Sequence, residues 1–524
     1  MAKVFIDPLS RIEGHLALEL DVQNGQVVDA KSIGVMYRGL ETILIGRNPV
    51  DSNQIMQRIC GVCPVSHGLA ASKCLDSAFN IKPNKNGRIL RNLILAANYL
   101  QSHILHFYHL AALDFVDIKA ILNYKGSDSK LIKVKEWAKN ELEIKNGRDD
   151  QITSVSPFLP RYEGKNFYIE DVDTNIDAIA GYLKALEIRI KCHQMVALFG
   201  GRVPHLIGLV PGGVTQVPTN ENINQYRKLL KEVEKFISEE YTNHVIAVAK
   251  AFPDYFKIGQ YSNFLSYGLI ELNDKKNFFM ESGVVFGRSK LEAFDSNKIR
   301  EQVRYALYKS GTNLPPLRGE TDPQPNKPGA YSWLKAPRYA DAPMEVGPLA
   351  RVAVAYLSEN KMVKTELDKV LKIFNADVPA AFSVLGRHAS RLIECKILAN
   401  AAHEWLSELE KGGKPRSTYD IPDKGEGEGL VEAPRGALGH WIVIKDKKIA
   451  NYQAIVPSTW YCGPRGDKGE RDLGPVEEML IGTPIADPHN PIEAARVVRS
   501  TDPCLACAVH VMEGDKEIGT FRIC

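Results

Sequence analysis

Four of the chain's nine cysteines come in two couples, one near each end. The first is Arg58-Ile59-Cys60-Gly61-Val62-Cys63-Pro64; the second is Asp502-Pro503-Cys504-Leu505-Ala506-Cys507-Ala508-Val509-His510. Two intervening residues close a tight turn with both sulfurs facing inward, so each couple can offer two thiolates to one metal. Four thiolates suit zinc, an iron–sulfur cluster, or nickel and iron. One couple alone says little. Two, separated by nearly the whole chain, serve a single site only if folding brings the ends together. A buried metal site between the termini is therefore expected, with a four-thiolate zinc clamp as the plain alternative.

Other residues near the couples carry weight. His67 lies four residues past Cys63, about one helical turn, which lets its imidazole hydrogen-bond a ligating sulfur. Asp502 and His510 flank the second couple. Cys74, Cys192, Cys395, Cys462 and Cys524 are scattered, and an odd, sparse set is no disulfide framework. They read as buried or incidental thiols. His103, His106 and His109 recur at every third position, but on a segment this apolar they read as packed histidines rather than a metal stripe.

The elements that must hold these residues are mainly helical. Residues 3–35 alternate apolar and polar around Asn24-Gly25, which predicts a β-hairpin. Helical spacing follows over 53–80, with Pro64 suited to a first turn, and over 88–115, 171–198 and 221–251. Residues 119–150 are dense in Lys, Glu and Asp and read as an exposed excursion. The stretch 311–329 holds five prolines and reads as a loop. Helical patterns return at 346–359 and 377–411; a glycine- and charge-rich linker (411–429) then precedes a short strand over 439–444. The expected fold class is mainly α with small antiparallel β-sheets near both ends. If both couples belong to one site, residues 1–510 are expected to form a single interwoven unit.

Bulk properties exclude some functions. Lys and Arg total 66 against 63 Asp and Glu, a formal charge of +3, which gives no reason to expect nucleic acid or an anionic membrane surface as partner. No segment approaches the run of about 18 apolar residues that a membrane span needs. The N-terminus, Met1-Ala2-Lys3-Val4-Phe5-Ile6, lacks the apolar core of a signal peptide. The expectation is a chain that stays in the cytoplasm or crosses a membrane on a partner.

The flanks of the cysteines narrow the choice. Arg11-Ile12-Glu13-Gly14-His15, Met36-Tyr37-Arg38-Gly39-Leu40-Glu41 and Gly46-Arg47-Asn48-Pro49 lie near the first couple. Glu432-Ala433-Pro434-Arg435-Gly436-Ala437-Leu438-Gly439-His440 and Val456-Pro457-Ser458-Thr459-Trp460 precede the second. Together they closely resemble the large subunit of [NiFe] hydrogenases. Ser102-His103-Ile104-Leu105-His106-Phe107-Tyr108, Ala197 to Gly201, Val210-Pro211-Gly212-Gly213, Gly259 to Gly268 and Tyr331 to Arg338 also look like family segments, so the resemblance spans the chain.

The resemblance implies the family's large-subunit fold and a nickel–iron centre. Cys60 and Cys504 would bind nickel terminally, and Cys63 and Cys507 would bridge nickel to iron. In the family, iron also carries carbon monoxide and two cyanides; Arg435 and Ser458 match the positions facing the cyanides, and Pro434 helps exclude water. The implied reaction is H2 ⇌ 2 H+ + 2 e−, most simply in respiratory hydrogen uptake. Cleaving so weak an acid needs a metal and a nearby base, and the Cys504 thiolate is the first choice. Arg435 is the rival, although a guanidinium keeps its proton and is better read as an electrostatic stabiliser. Glu13 matches the family's proton-exit carboxylate. Glu41 and His510, with the carbonyl around Ala454, match ligands of a second, hard cation, Mg2+ or Fe2+.

Two features set this sequence apart. Some family members carry an acidic residue over the pocket where Ser102 stands here, which would leave the Arg435 network resting more on Asp502. The chain also runs past His510 for fourteen residues, Val511 to Cys524. It resembles an unprocessed precursor whose tail a dedicated endopeptidase removes after maturation proteins insert nickel. The resemblance further implies an iron–sulfur small subunit as electron-transfer partner, with a membrane cytochrome b as a further candidate. Periplasmic or membrane-associated placement would follow from that subunit's twin-arginine signal; a cytoplasmic enzyme is the alternative. Three rival classes are the metal-free quinone-reductase relative in respiratory complex I, a hydrogen sensor with the same centre, and a zinc-clamped scaffold.

Overall fold

A computed structural model describes residues 2–143, 156–158, 167–272, 277–309 and 313–505. Cys507, His510 and the stretch 511–524 lie outside them. The N-terminal strands Ala2–Ile6, Leu16–Gln23 and Gln26–Gly34 form an antiparallel sheet in chain order. The expected hairpin is its second and third strands. Asn24 and Gly25 both take positive φ (50° and 74°), the left-handed pair that matches a tight hairpin to the strands' twist. Leu16, Leu18, Leu20 and Val22 alternate onto its buried face.

The central helix is Lys85–Leu105, started by the Asn84 side chain accepting from Gly87 N at 2.8 Å. It continues through one wide π turn over His106–Ala111. Nearly every side chain along it is buried, as befits a helix surrounded by others. Around it stand Val172–Gly200, Asn220–Phe236, Pro348–Leu357 and Val384–Glu408.

Two expectations fail for readable reasons. The excursion over 119–150 contains a helix, Ser129–Glu143, which buries Leu131, Val134 and Ala138; its many charges mask a narrow apolar stripe. Small antiparallel sheets stand near both ends as expected, and further short pairings occupy the middle, such as Gly283–Phe286 with Phe264–Ser266 and Ile299–Gln302 with Ala336–Tyr339. The glycine-rich linker is, from Lys424 onward, a strand: Lys424–Ala433 pairs with Gly436–Lys445, which pairs with Lys448–Ile455. Gly425, Gly427 and Gly429 alternate onto one face. A Cβ there would stand 2.8, 2.3 and 2.0 Å from the carbonyls of Ala78, Cys74 and Ala70. Their spacing by four matches turns of the helix Pro64–Ala78, so the glycines let that helix lie flush on the strand.

One large apolar cluster runs from Leu16 and Leu20 through Leu93 and Leu100 to Ile442 and Ile455, and it includes Cys60, Cys63 and Cys504. The chain ends are tied together beside it. Arg11 and Arg499 both pair with the buried Asp114 carboxylate, Arg499 at 2.7 Å. Arg499 also donates to Ser10 O at 3.1 Å, and Arg496 to Asp114 O at 2.6 Å. Burial alone would raise the Asp114 pKa, but the three arginines hold it below the usual carboxylate range.

Candidate metal centre

The first couple sits in a break between helices. Asp51–Met56 passes into a single 3-10 turn, Gln57–Ile59; Cys60 is then extended (φ −143°, ψ 143°), and Cys63 starts the helix Pro64–Ala78. Pro64 fits the first helical position because no N–H is needed there. Arg38 pins the approach by donating to the carbonyls of Ile59 at 2.6 Å and Arg58 at 2.7 Å. The second couple arrives by main-chain pairing: Glu13 N donates to Pro503 O at 3.3 Å and Leu505 N to Glu13 O at 2.5 Å, a parallel bridge between Glu13 and Cys504.

This pairing places Cys504 Sγ 3.2 Å from Cys60 Sγ and 4.0 Å from Cys63 Sγ. All three sulfurs are buried, and among the described residues they are the one group of three or more His, Cys, Asp or Glu whose ligand atoms all lie within 4.8 Å of one another. Cys60 Sγ also accepts from the amides of Val62 at 3.2 Å and Cys63 at 3.4 Å. Cys504 N donates to Ser458 Oγ at 2.8 Å. Ser458 Oγ lies 3.0 Å from Tyr461 Oη, which donates to Asp502 O at 3.0 Å. The tyrosine's one hydrogen is thereby used, so the serine's points to Tyr461. Ser458 thus holds the second couple's main chain, with its hydroxyl donor already engaged.

Over the sulfurs stands Arg435, 2% exposed. Its Nη2 is 3.0 Å from Asp502 Oδ1, and its Nη1 donates to Ser102 Oγ at 3.4 Å. Burial works against its charge, but Asp502 and the Cys504, Cys63 and Cys60 thiolates raise its pKa, so it stays a cation. Glu13, half-buried, has its pKa raised by burial, with Arg435 pulling the other way. Pro434 is buried beside Arg435. Among the described residues neither Arg435 Nε nor Nη2 has an aligned acceptor. Leaving a buried donor such as Nε unmet costs about 1–3 kcal/mol, whereas Nη2 keeps its ion pair with Asp502. Convergent thiolates below and unmet guanidinium donors above fit a metal group that itself carries acceptor atoms.

Other expected residues are also placed. Glu41 accepts from Ala454 N at 2.8 Å and from the Thr321 hydroxyl, which brings Glu41 beside Ala454 through its amide rather than the expected carbonyl; His510 is outside the described residues. His67 Nδ1 faces His440 Nε2 at 3.2 Å, which leaves only Nε2 for a sulfur. His103, His106 and His109 face Glu394, the carbonyl of Arg499 and the carbonyl of Tyr182, as packed histidines do. Sequence reasoning passed over Arg351, Glu394 and Glu432, a fully buried cluster behind Pro434. Its signal was an arginine set in the otherwise apolar run Pro348-Leu349-Ala350-Arg351-Val352-Ala353-Val354-Ala355.

Comparison with known proteins defines the class. Residues 38–510 match the model of the nickel-dependent hydrogenases, and the chain belongs to that family. Within it, the chain is 44% identical over 528 residues to the large subunit of the periplasmic [NiFeSe] hydrogenase of Desulfomicrobium baculatum, covering 98% of this chain and 96% of the relative. It is 35% identical to the hydrogenase-2 large chain of Escherichia coli K12, with 98% of each chain covered. The solved structure of the H2-activated Dm. baculatum [NiFeSe] hydrogenase superposes with a TM-score of 0.85 at 45% identity, over 97% of this chain and 100% of that one. The expected large-subunit fold is therefore the observed one. Retained thiols and the family match set aside the metal-free relative and the zinc scaffold.

Proposed function

We propose that this chain is the catalytic large subunit of a hydrogenase that interconverts H2 with two protons and two electrons. The observation that carries this reading is the buried cup of Cys60, Cys63 and Cys504 under the Arg435 guanidinium. With Cys507 as fourth thiolate, the cup would hold nickel and iron, and iron's carbon monoxide and two cyanides would meet the unmet Arg435 donors. When bound, that group supplies the redox-active, Lewis-acidic chemistry that H2 cleavage requires.

The residues supply the proton chemistry. Cys504 Sγ takes the proton, because it faces the cup and its main chain is fixed by Glu13 and Ser458. Glu13 receives that proton and passes it outward: burial raises its pKa toward working pH, and it is only half enclosed. Arg435 stays charged against Asp502 and steadies negative charge at the site. Pro434 keeps water out. Glu41 and the Ala454 carbonyl, with His510, would bind Mg2+ or Fe2+ close to the chain end.

Electrons would leave through a partner, since the five cysteines beyond the two couples are scattered along the chain. An iron–sulfur small subunit fits. Relatives include a quinone-reactive enzyme from Wolinella succinogenes and an uptake enzyme from Bradyrhizobium diazoefficiens, which favours respiratory hydrogen uptake, with a membrane cytochrome b as onward acceptor. No helix among the described residues is long and apolar enough to cross a membrane, so attachment and periplasmic placement would come through the small subunit. Residues 1–510 act as one unit, and 511–524 are removed after nickel insertion. Where relatives are named for selenium, this chain offers sulfur throughout.

Metal analysis with infrared spectroscopy tests the reading. Nickel and iron in equal amounts, with CO and CN stretches, are expected; zinc alone would end it. Glu13→Gln should slow H/D exchange and turnover on the order of a hundredfold with both metals retained. Unchanged turnover removes Glu13 from the proton path. A slow-turning enzyme purified with a signalling partner would mark a sensor instead.

A further inference from the structure

The wall that carries Arg435 is held from behind by a second buried arginine. Arg351 lies on the helix Pro348–Leu357 with its side chain fully sealed. A guanidinium has five N–H donors, and all five are met. Nε and Nη2 donate to the two oxygens of Glu394 at 2.6 and 2.9 Å, and Nη1 to Glu432 Oε2 at 2.7 Å. The remaining two bonds go to main-chain carbonyls, Ala433 from Nη1 and Pro434 from Nη2, each at 2.9 Å. These are the two residues immediately before Arg435.

Surrounding groups lock the same segment. The Tyr99 hydroxyl lies 2.9 Å from the carbonyls of both Glu432 and Ala433, and its ring lies under the guanidinium, 5.1 Å from the carbon centre. Tyr267 N donates to Glu432 Oε1 at 2.7 Å. Glu394 is held in turn by His103, next to the Ser102 that touches Arg435. Where the helix begins, main chain meets main chain: a Cβ on Gly347 would stand 2.9 Å from Arg435 O, and one on Gly436 2.6 Å from Gly347 N. Both glycines have positive φ, 119° and 132°. Three helices thus converge on four residues.

We infer that Arg351 is the positioning residue of this site: it sets where the Arg435 guanidinium stands relative to the thiolates. The inference rests on the proposed nickel–iron reading, because Arg435 needs fixing to the ångström only if it serves a bound group. Charge alone does not explain the arrangement. A lysine would balance the carboxylates equally well but has three donors in place of five, so at least two of the acceptors would go unmet.

The test uses the mature heterodimer carrying Arg351→Lys, with Arg91→Lys as control. Arg91 is another buried arginine; it binds Asp76 at 2.6 Å and the carbonyls of Val210 and Gly213. Metal content, infrared spectrum, kcat and KM are measured on each. Arg351→Lys should keep both metals, shift the cyanide bands, and lower kcat about tenfold or more with KM within twofold. Arg91→Lys should lose thermal stability and leave the bands in place. Wild-type bands and kcat in Arg351→Lys would overturn the clamp, as would the same band shift in the control. Failure to incorporate nickel sends the test to Gly347→Ala, which presses on Arg435 O with Arg351 kept; unshifted bands there would equally overturn it. A wild-type enzyme without nickel, iron or cyanide bands would instead defeat the reading of the site.

Discussion

Arg351 and Arg435 are both sealed in the core on either side of Pro434, yet their donors are treated differently. Arg351 has every N–H matched to a protein acceptor. Arg435 has one hydrogen bond, to Ser102, and an ion pair with Asp502, with Nε and Nη2 lacking an aligned acceptor among the described residues. Burying a guanidinium is costly unless it is paired. On the proposed function, the incomplete arginine is the one left to face a bound group. In that reading the satisfied arginine would hold position and the other would meet the ligand.

The largest expected effect breaks the cup itself. Cys504→Ser exchanges a soft thiolate for a hard hydroxyl, so nickel content and hydrogen turnover should both fall to background; retained nickel would sever Cys504 from the metal. Next is Arg435→Lys, which keeps charge but loses the planar fork. We expect kcat to fall on the order of a hundredfold with metal content intact. A change in KM alone would place Arg435 in access rather than catalysis.

Smaller effects probe the scaffold. Gly429→Ala forces a Cβ against Ala70 O and Cys74 N, both main chain. A loss of about 1–3 kcal/mol is expected in thermal unfolding, with slower nickel loading because the displaced helix begins at Cys63. The Arg351 cluster adds a pH signature. Burial raises Glu432 to about 7, whereas Glu394, bound two-pronged by Arg351 and also by His103, is held at about 2. A raised folded pKa gives stability that is whole below the unfolded value, about 4.5, and is lost as pH climbs through about 7. The wild-type Tm should therefore fall across that window more steeply than the Tm of Glu432→Gln, by on the order of 3 kcal/mol of stability. Parallel curves would mean that Glu432 is ionised throughout.

Much of the site was legible because its residues are local. Cys60 with Cys63, Asp502 with Cys504, and Pro434 with Arg435 are neighbours in the chain, and short motifs survive linear reading. The strand Lys424–Ala433 was hidden because alternating glycines resemble a linker until a helix is known to cross them. The helix Ser129–Glu143 was hidden by its charged face.

The sequence by itself determined which chemistry is available, since thiols, a guanidinium and an acidic residue two places before a cysteine are properties of residue type and near neighbours. Only the tertiary structure decided that sulfurs 444 residues apart meet at 3.2 Å, and that Arg351, 84 residues before Arg435, grips the main chain beside it. Such contacts depend on three helices and two chain ends packing at once. Long-range packing of that kind leaves no periodic trace in the chain, because each partner sees only its own segment until the core closes.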